Sequence, residues 1–453
     1  MTQAKRLAFV AAVVVLGIAF SIVHAATSEK MSYLDNGVIR IGVNLNAGGA
    51  ITYLSKSGDN TNLVNNWDWG RQIQMSHYSG PVPFEPNGKK PAPHWVGLGW
   101  NPAQAGDHFK NASKILAHEN DGKMLYIKCI PMQYALDNVP AECTFECWIT
   151  LRGSTADVRS RMVVDRPDKT SYPARGQELP AVYTIGSLYR LMSYTGDKPF
   201  AGDTLSRIEK SEEEKRKGGW PWVRYQATEN WAALVNDQDW GVGIWEPGCT
   251  SFVGGFAGKP GQGGTYDDPT GYISPMQDEI IDYNIDYEFR YVLIVGSLQE
   301  IRKHVYDHAQ RPMPPVYRFE KDRQHWLYHN AVDTGWPIKG ELHVLLEKQD
   351  PQLIGPSGFW FAKDAPKLRI EAAFKTEQKQ ATVFWRRFDE DQFTMAKRVS
   401  FEVHPDGEYH IYEIDLSVLP EYRGAITGLR LDPGEGGRTG DWVKIRSISF
   451  SKP

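Results

Sequence analysis

The feature of this sequence that most constrains its fold is a rhythm of short β-rich runs separated by turn residues. Clear examples are residues 38–43, 125–130 and 289–295, which are rich in β-branched and aromatic side chains and have Gly, Asn, Asp or Pro near their ends. Runs of this length and composition are typical of strands packed in sheets. The sequence therefore predicts an all-β protein.

Helices are predicted in two places. Residues 204–217 include a run charged on every side, SEEEKRK, which predicts a solvated excursion that is either a mobile surface insertion or an active-site flap. A second helix is predicted over residues 298–310, and the sequence RPMPP at 311–315 ends it, because proline cannot continue a helix. That proline cluster predicts a domain boundary.

The length of the chain, 453 residues, exceeds what one hydrophobic core usually serves, so two domains are expected. We expect a large antiparallel β-sandwich over residues 26–311 and a smaller one over 312–453. Residues 1–25 have a signal-peptide pattern, because Lys5 and Arg6 precede an apolar run that ends in a Val-His-Ala cleavage sequence. A secreted or periplasmic location follows, with an uncleaved membrane anchor as the alternative.

Composition restricts the partners. With 51 basic and 55 acidic residues, the formal charge of -4 provides no field for nucleic acid, and no stable membrane partner is expected. The 15 Trp and 21 Tyr residues supply flat, partly polar surfaces suited to sugar rings, although large sheet cores also use them. A poly- or oligosaccharide is the expected partner; the oligomeric state is left undetermined.

The four cysteines, an even set, make disulfides plausible in an oxidising compartment, but the pairing cannot be deduced. Their spacing does not match a zinc site, so no metal and no cofactor is expected, and a structural calcium ion is left open.

The pairs His304/His308 and His325/His329 have the i, i+4 spacing of zinc ligands on a helix. Neither has a glutamate in the metalloprotease position, and we interpret the first pair as helix surface or domain contact.

Residues 368–448 alternate strand-like runs with turns, including a hairpin turn at Asp406-Gly407. Their order resembles the jelly-roll modules appended to secreted carbohydrate-active enzymes, which implies either a carbohydrate-binding domain or a buttress for the catalytic domain. Trp360 and Trp385 are the stacking candidates in the first case, and core packing is the alternative for both.

The segment NGVIRIGVNLNAGGAITYLSKSGDNTNLVNNWDWGR, residues 36–71, resembles the opening of galactose-mutarotase-like sandwiches. The resemblance implies a supersandwich whose concave face binds sugar, a scaffold shared by epimerases, lyases and hydrolases. No catalytic histidine-glutamate pair can be assigned by motif, so aldose epimerase chemistry is not implied for this chain.

The stretch NNWDWGRQIQMSHYSGP, residues 65–81, concentrates polar and aromatic side chains that are costly to bury without partners. On the rim of a concave sheet, Trp67 and Trp69 would stack on sugar rings while Arg71, Gln72 and Gln74 donate hydrogen bonds. The alternative is a loop clamped by an Asp68–Arg71 pair, with the tryptophans in the core.

Strand alternation divides this stretch into two faces. It places Arg71, Ile73 and Met75 on one face, and on the other Asp68, Gln72, Gln74 and either Ser76 or His77.

Three further stretches carry candidate residues near the ends of predicted strands, where scaffolds display functional groups. They contribute Trp100, Asp107, His108, Glu178, Tyr183, Glu229 and Glu246. Glu178 and Glu229 lie among apolar neighbours, and burial would raise a carboxyl pKa and prepare it as a general acid. We expect both to converge in one cleft with Asp68, Arg71, Gln74 and His77.

Three functions remain open at this point. The leading one is a glycoside hydrolase in which Glu178 or Glu229 is the acid and the other, or Asp68, is the base or nucleophile. The second is a polysaccharide lyase in which Arg71 or Gln74 neutralises a uronate carboxylate. In that case His77 or Tyr183 moves the protons. The third is a carbohydrate-binding protein without catalysis.

Overall fold

The structure, a computed structural model, describes residues 30–451. Strands dominate it, and every sheet is antiparallel, which confirms the all-β prediction. The predicted signal peptide lies outside the described residues, so export stays a prediction. Within residues 30–451, no helix has the length and apolar character needed to span a membrane.

The first sandwich contains nineteen strands. In chain order they are β1 (Met31–Asp35), β2 (Ile39–Asn44), β3 (Ala50–Lys56), β4 (Ile73–Ser76), β5 (Pro102–Ala103), β6 (Lys114–Asn120), β7 (Met124–Ile130), β8 (Met132–Gln133), β9 (Cys143–Arg152), β10 (Thr155–Val164), β11 (Arg175–Ile185), β12 (Arg190–Ser193), β13 (Ser206–Arg207), β14 (Val223–Gln226), β15 (Trp231–Val235), β16 (Trp240–Trp245), β17 (Ser251–Ala257), β18 (Thr270–Glu279) and β19 (Asp286–Ser297).

These strands form two sheets. The first sheet has the order β1-β2-β3-β4-β11-β18-β17-β14, with β5 paired to β4 and β8 paired to β5. The second has the order β13-β12-β15-β16-β19-β10-β9-β7-β6. Side chains on the facing surfaces form one continuous core, to which Ile41, Ile127, Phe145, Val182 and Leu293 belong. Strand β10 alternates buried and half-exposed residues along most of its length, as expected when only one face packs on the core.

Helices are few, as the sequence predicts. Helix α1 (Glu212–Lys217) is wholly exposed, and helix α2 (Leu298–His308) packs Ile301 and Val305 on the second sheet. Each begins with a capping box, in which a serine and a glutamate three residues later satisfy each other's backbone N–H groups. Short 3₁₀ helices span Pro86–Gly88, Pro93–Leu98 and Ala362–Asp364.

The second sandwich follows the proline-rich segment 311–315. Its strands are β20 (Val316–Arg318), β21 (Leu327–His329), β22 (Val332–Asp333), β23 (Leu342–Leu345), β24 (Gln352–Ile354), β25 (Trp360–Phe361), β26 (Lys367–Lys375), β27 (Gln380–Arg387), β28 (Arg398–Glu402), β29 (Tyr409–Asp415), β30 (Ala425–Asp432) and β31 (Trp442–Ser451). One sheet has the order β22-β23-β31-β26-β29 with β20 beside β31, and the other β21-β24-β30-β27-β28 with β25 beside β30.

The second sandwich has a hydrophobic core of its own, separate from that of the first. Trp360 and Trp385 are both 1% exposed within it. The Trp385 indole N–H donates to the backbone carbonyl of Glu421 at 3.1 Å. Both tryptophans therefore pack in the core and present no stacking surface to a sugar.

A buried ion cluster joins the two sandwiches. Arg323, which is 4% exposed, donates from its Nε and Nη2 atoms to Asp333 and from Nη1 to Asp282 of the first sandwich. Nearby, His325 pairs with Glu279. A buried guanidinium is costly unless carboxylates pair with it, and one of the two carboxylates that pair with Arg323 belongs to the first sandwich. Separating the sandwiches would therefore remove one ion-pair partner of Arg323.

The structure corrects two interpretations of spacing. All four cysteines, Cys129, Cys143, Cys147 and Cys249, are buried free thiols, so the plausible disulfides are not formed. The segment containing His325 and His329 is not helical, because His325 has φ +63° and His329 ends β21. The second histidine pair therefore lacks the shared helical face that zinc binding would require.

Candidate functional site

A cleft of about 600 Å³ lies on the outer face of the first sheet, above β4, β11, β18 and β17. Two loops form its sides, one carrying Trp95 and Leu98 and the other carrying Trp220, Pro221 and Trp222. Five of the candidate residues line it: Asp68, Arg71, Gln74, Glu178 and Tyr183. The rest of the candidates lie elsewhere.

Strand β4 sorts its side chains between the cleft and the core. Gln74 and Ser76 line the cleft, whereas Ile73 and Met75 belong to the hydrophobic core. β4 ends at Ser76, and the next residue, His77, packs among aromatic residues of the core. The expected convergence in the cleft therefore does not include His77.

His77 is wholly buried among aromatic rings. Phe145, Tyr287 and Phe289 surround it edge-on, with ring centroids 5.6 to 5.8 Å away. Its Nδ1 atom lies 3.3 Å from Oε1 of Gln177, and its Nε2 atom has no hydrogen-bond partner among residues 30–451. Burial lowers the pKa of His77 to about 4, so the ring is neutral at physiological pH.

Strand β11 brings Glu178 and Tyr183 to the same face by means of a β-bulge. From Glu178 to Val182 the strand advances four residues while β18 advances three, from Met276 to Ile273. Residues five apart in a regular strand face opposite sides, so the one extra residue returns Tyr183 to the side of Glu178. Pro180, which has no N–H to give to a ladder, lies within the bulge.

The Glu178 carboxylate sits at the floor of the cleft and is 8% exposed. The hydroxyl of Tyr78 donates to its Oε2 atom at 2.8 Å, and the hydroxyl of Tyr272 donates to its Oε1 atom. Burial raises the pKa of Glu178, and hydrogen bonds from Tyr272, Tyr78 and Ser76 oppose that rise without cancelling it. The result is a carboxyl group that holds its proton to higher pH than an exposed glutamate.

Aromatic rings also line the cleft. Tyr272 lies between Tyr183 and Trp222, with ring centroids 4.7 and 4.9 Å away. Across the opening, Trp95 and Trp220 approach to 6.0 Å, and Trp220 is 63% exposed. Flat faces of this kind pack on the C–H groups of a pyranose ring.

Tyr183 differs from its neighbours because its hydroxyl has no hydrogen bond to any residue in the range 30–451. Burial, together with the nearby Glu178 and Asp68 carboxylates, raises the pKa of Tyr183 well above its usual value. Its hydroxyl therefore stays protonated at neutral pH and is available to donate to a ligand.

Arg71 and Asp68 form an ion pair beside the tyrosines, with Arg71 Nε 3.1 Å from Asp68 Oδ2. Arg71 also pairs with Asp268, its Nη2 atom lying 2.8 Å from Oδ1. Two carboxylates thus neutralise Arg71. The pairing agrees with the alternative in which Asp68 and Arg71 clamp a loop, yet both side chains also line the cleft.

Gln72 and Gln74 support this loop from below. Both are 2% exposed, and their amide nitrogens donate to the backbone carbonyls of Asp68 and Trp69 at 2.6 and 2.9 Å. Gln74 Oε1 accepts the N–H of Ala105 at 2.8 Å. Their hydrogen bonds hold the loop in place, so Gln72 in particular is engaged with the protein and does not line the cleft.

Glu229 lies two residues before β15 of the second sheet and is 0% exposed. Arg302 of α2 contacts both of its carboxylate oxygens, at 2.9 and 3.2 Å, and Tyr306 donates to it at 2.7 Å. The Trp231 indole N–H adds a fourth contact at 3.0 Å. This carboxylate fastens α2 to the sheet, and the expected convergence with Glu178 does not include it.

Glu246 lies at the same open end of the β15–β16 hairpin as Glu229, and its backbone N–H donates to the carbonyl of Asn230 at 3.1 Å. Burial raises the pKa of Glu246 to about 7, and His325 together with the backbone N–H groups of Gly248 and Cys249 opposes the rise. It does not line the cleft.

Five aromatic and polar candidates also lie outside the lining of the cleft. Trp67 is 50% exposed on a loop, Trp69 packs on Ala47, Ala50 and Ala105, and Trp100 is fully buried with its N–H on Glu142. Asp107 accepts the backbone N–H groups of Phe109, Asn111 and Asn138 and so fixes its own loop. His108 contacts the rings of Trp95 and Tyr134 at 6.0 Å and stands at the rim.

Sequence reasoning missed several residues that build the cleft, namely Tyr78, Trp95, Tyr134, Arg175, Trp220, Trp222 and Tyr272. The sequence contains two indications of these residues. Arg175 lies in the same strand as Glu178, and Trp220 and Trp222 follow directly on the charged excursion that was considered as a flap. Tyr272 had no local signal, since only sheet pairing brings β18 beside β11.

No metal site accompanies the cleft: within the described part of the chain, no group of three or more His, Cys, Asp or Glu side chains could hold a metal ion.

The fold and the cleft together define an all-β protein with a large antiparallel sandwich. Similar solved structures include a galactose mutarotase-like protein from Lactobacillus casei ATCC 334, 11% identical, covering 58% of this chain and 99% of that one with a TM-score of 0.35. A galactose mutarotase related enzyme from Lactobacillus acidophilus is 12% identical, with coverages of 59% and 97% and a TM-score of 0.34.

A 4-alpha-glucanotransferase from Thermococcus litoralis is 12% identical, covering 60% of this chain and 38% of that one with a TM-score of 0.33. These distant similarities concern the architecture alone. Neither the protein-family models nor the curated proteins gave a match to the sequence.

Proposed function

We propose that this protein is a carbohydrate-active enzyme that cleaves a poly- or oligosaccharide, with Glu178 as the general acid. The observation that carries the proposal is the position of Glu178: a buried carboxyl group with a raised pKa, held by Tyr78 and Tyr272, at the floor of an aromatic cleft. Protonation of a glycosidic oxygen requires an acid that keeps its proton near neutral pH.

Asp68 is the second carboxylate that lines the cleft, and we assign to it the role of base or nucleophile in glycoside hydrolysis. Its ion pair with Arg71, whose Nε lies 3.1 Å from Asp68 Oδ2, fixes the position of this carboxylate beside the cleft. The aromatic faces of Trp95, Trp220 and Trp222 would hold the sugar rings between the two loops.

A polysaccharide lyase is the second candidate, favoured by the unpaired hydroxyl of Tyr183 in the cleft. A lyase of this kind would use Tyr183 for proton transfer. The raised pKa of Tyr183 weakens the case for it as a base, because the phenolate is costly to form in a buried site and beside Glu178. His77, the other proton carrier considered, has no access to the cleft.

The test is incubation of the protein with a panel of neutral and acidic polysaccharides, following both new reducing ends and the ultraviolet absorbance of an unsaturated product. Reducing ends without absorbance support hydrolysis, and reducing ends with absorbance support the lyase. The variants Glu178→Gln and Tyr183→Phe then assign the catalytic residue. If Glu178→Gln loses activity and Tyr183→Phe keeps it, the result supports Glu178 as the general acid. Absence of both signals across the panel contradicts the enzymatic proposal.

A further inference from the structure

Arg175 is a cation in the cleft whose charge the protein does not neutralise. It begins β11, lines the cleft three residues before Glu178, and lies with its guanidinium carbon 5.7 Å from the ring centroid of Tyr78. The other lining cation, Arg71, is paired with Asp68 and Asp268, whereas Arg175 has no ion pair with any carboxylate among residues 30–451.

Backbone carbonyls fix the orientation of the Arg175 guanidinium. Its Nη1 atom donates to the carbonyls of Ser79 at 3.1 Å and Leu98 at 2.5 Å, and its Nη2 atom donates to that of Gly97 at 3.1 Å. A guanidinium has five N–H groups, so two are left over. They belong to Nε and Nη2, which share one edge of the group, and neither has an acceptor in the described part of the chain.

Glu178, the nearest carboxylate along β11, does not pair with the Nε and Nη2 edge of Arg175. Both oxygens of Glu178 already accept tyrosine hydroxyls, one from Tyr78 and one from Tyr272. A half-buried arginine remains charged at neutral pH, and a charge in such a position is stabilised by an anion that reaches it. The free edge of Nε and Nη2 has the geometry that binds two oxygens of one oxyanion.

We infer that the cleft selects an acidic sugar, whose oxyanion binds the free edge of Arg175 while its ring packs on the aromatic walls. The inference rests on the proposed function only in taking the ligand of the cleft to be a carbohydrate. A uronate carboxylate and a sulfate ester share the required chemistry, two oxygens that carry negative charge. Arg175 is then a specificity-determining residue, distinct from the general acid Glu178.

The experiment is a calorimetric binding titration in the Glu178→Gln background, so that no ligand is consumed. The probes are tetragalacturonate, its carboxyl-reduced counterpart, a chondroitin sulfate tetrasaccharide and its desulfated, carboxyl-reduced counterpart. We expect at least one acidic probe to bind tenfold or more tightly than its neutral counterpart. Arg175→Gln should abolish that preference and leave the neutral affinity within about threefold.

Two further variants separate recognition from folding. Arg175→Lys keeps the positive charge without the two-donor edge and should retain part of the preference, provided thermal unfolding shows the loop intact. Arg224→Gln is the matched control, because it removes an arginine of the same sheet that does not line the cleft, and its affinities should stay within about twofold.

Three results would overturn the inference. The first is equal binding of acidic and neutral probes, and the second is a loss of the preference in Arg224→Gln as large as in Arg175→Gln. The third is that neither acidic probe binds at millimolar concentration. A preference for galacturonate assigns a carboxylate. A preference confined to chondroitin sulfate assigns a sulfate ester if desulfation alone, with the glucuronate carboxyl groups kept, abolishes it. Acid-selective binding without cleavage of any glycan by the unmodified protein refutes the catalytic proposal and leaves this inference standing.

Discussion

Glu178 and Glu229 are both buried, yet they lie on different sheets of the sandwich and have opposite kinds of partner. Two neutral tyrosine hydroxyls hold Glu178 at the cleft, whereas the Arg302 guanidinium holds Glu229 at helix α2. Burial raises the pKa of the first carboxyl group, whereas the second is the ion-pair partner of a guanidinium. The first can do acid catalysis and the second fastens the structure.

Replacing Glu178 with Gln should lower turnover about a hundredfold or more on a glycan that the protein cleaves, because it removes the transferable proton with little change of shape. Initial rates measure the effect, and thermal unfolding confirms that the variant is folded. Asp278→Asn, at an exposed site on neighbouring β18, is the control and should keep normal turnover. Equal losses in both variants would contradict the assignment.

The pH dependence of turnover should follow the protonation of Glu178. Its raised pKa means that the acid form persists above the range of an exposed glutamate, and that form is lost as pH rises through the raised value. We therefore expect turnover to fall on the alkaline side. The residual activity of Glu178→Gln should not fall in this way at alkaline pH. If the variant shows the same alkaline decrease in turnover as the unmodified protein, the decrease belongs to another titrating group.

Replacing Glu229 with Gln should cost stability and not catalysis. The change leaves the largely buried Arg302 without its counter-charge, and breaking such a pair costs about 3 kcal/mol. Urea unfolding measures the loss. Turnover per folded molecule should stay within a few-fold of normal, and a hundredfold loss of turnover at unchanged stability would return Glu229 to the catalytic residues.

Replacing Glu246 with Gln should flatten the pH dependence of stability. The folded-state pKa is raised to about 7, so the contribution of this group is fully present below the unfolded value near 4.5 and is lost as pH rises through 7. A glutamine stays neutral, and the variant should gain up to about 3 kcal/mol over the unmodified protein at pH 8. Urea titrations at pH 5 and pH 8 test this, with the exposed Glu402→Gln as the control.

Replacing Trp220 with Ala should weaken binding of sugar about three- to tenfold, as expected for the loss of one stacking face. Trp220 is 63% exposed, so its removal should leave the unfolding temperature nearly unchanged. Trp67→Ala is the matched control, because Trp67 is 50% exposed and does not line the cleft. Similar losses of affinity in the two variants would argue against a sugar face at Trp220.

The sequence by itself determined the local features of this protein. Short β-rich runs between turn residues predicted the all-β class, and the proline cluster at 311–315 predicted where helix α2 ends, within two residues. Period-two alternation also assigned Gln74 to one face of β4 and Ile73 to the other. Each of these depends on residues within a few positions of one another, and such patterns can be read along the chain.

Only the tertiary structure decided which polar residues meet. Strand pairing over almost a hundred residues brings Tyr272 onto Glu178, and a single bulge in β11 turns Tyr183 to the same face. Glu178 and Glu229 have similar local sequences, and their different partners come from α2 and β18, distant in the chain. Side-chain direction in a sheet depends on register, which long-range packing sets, so no local pattern could separate the acid in the cleft from the one that fastens the helix.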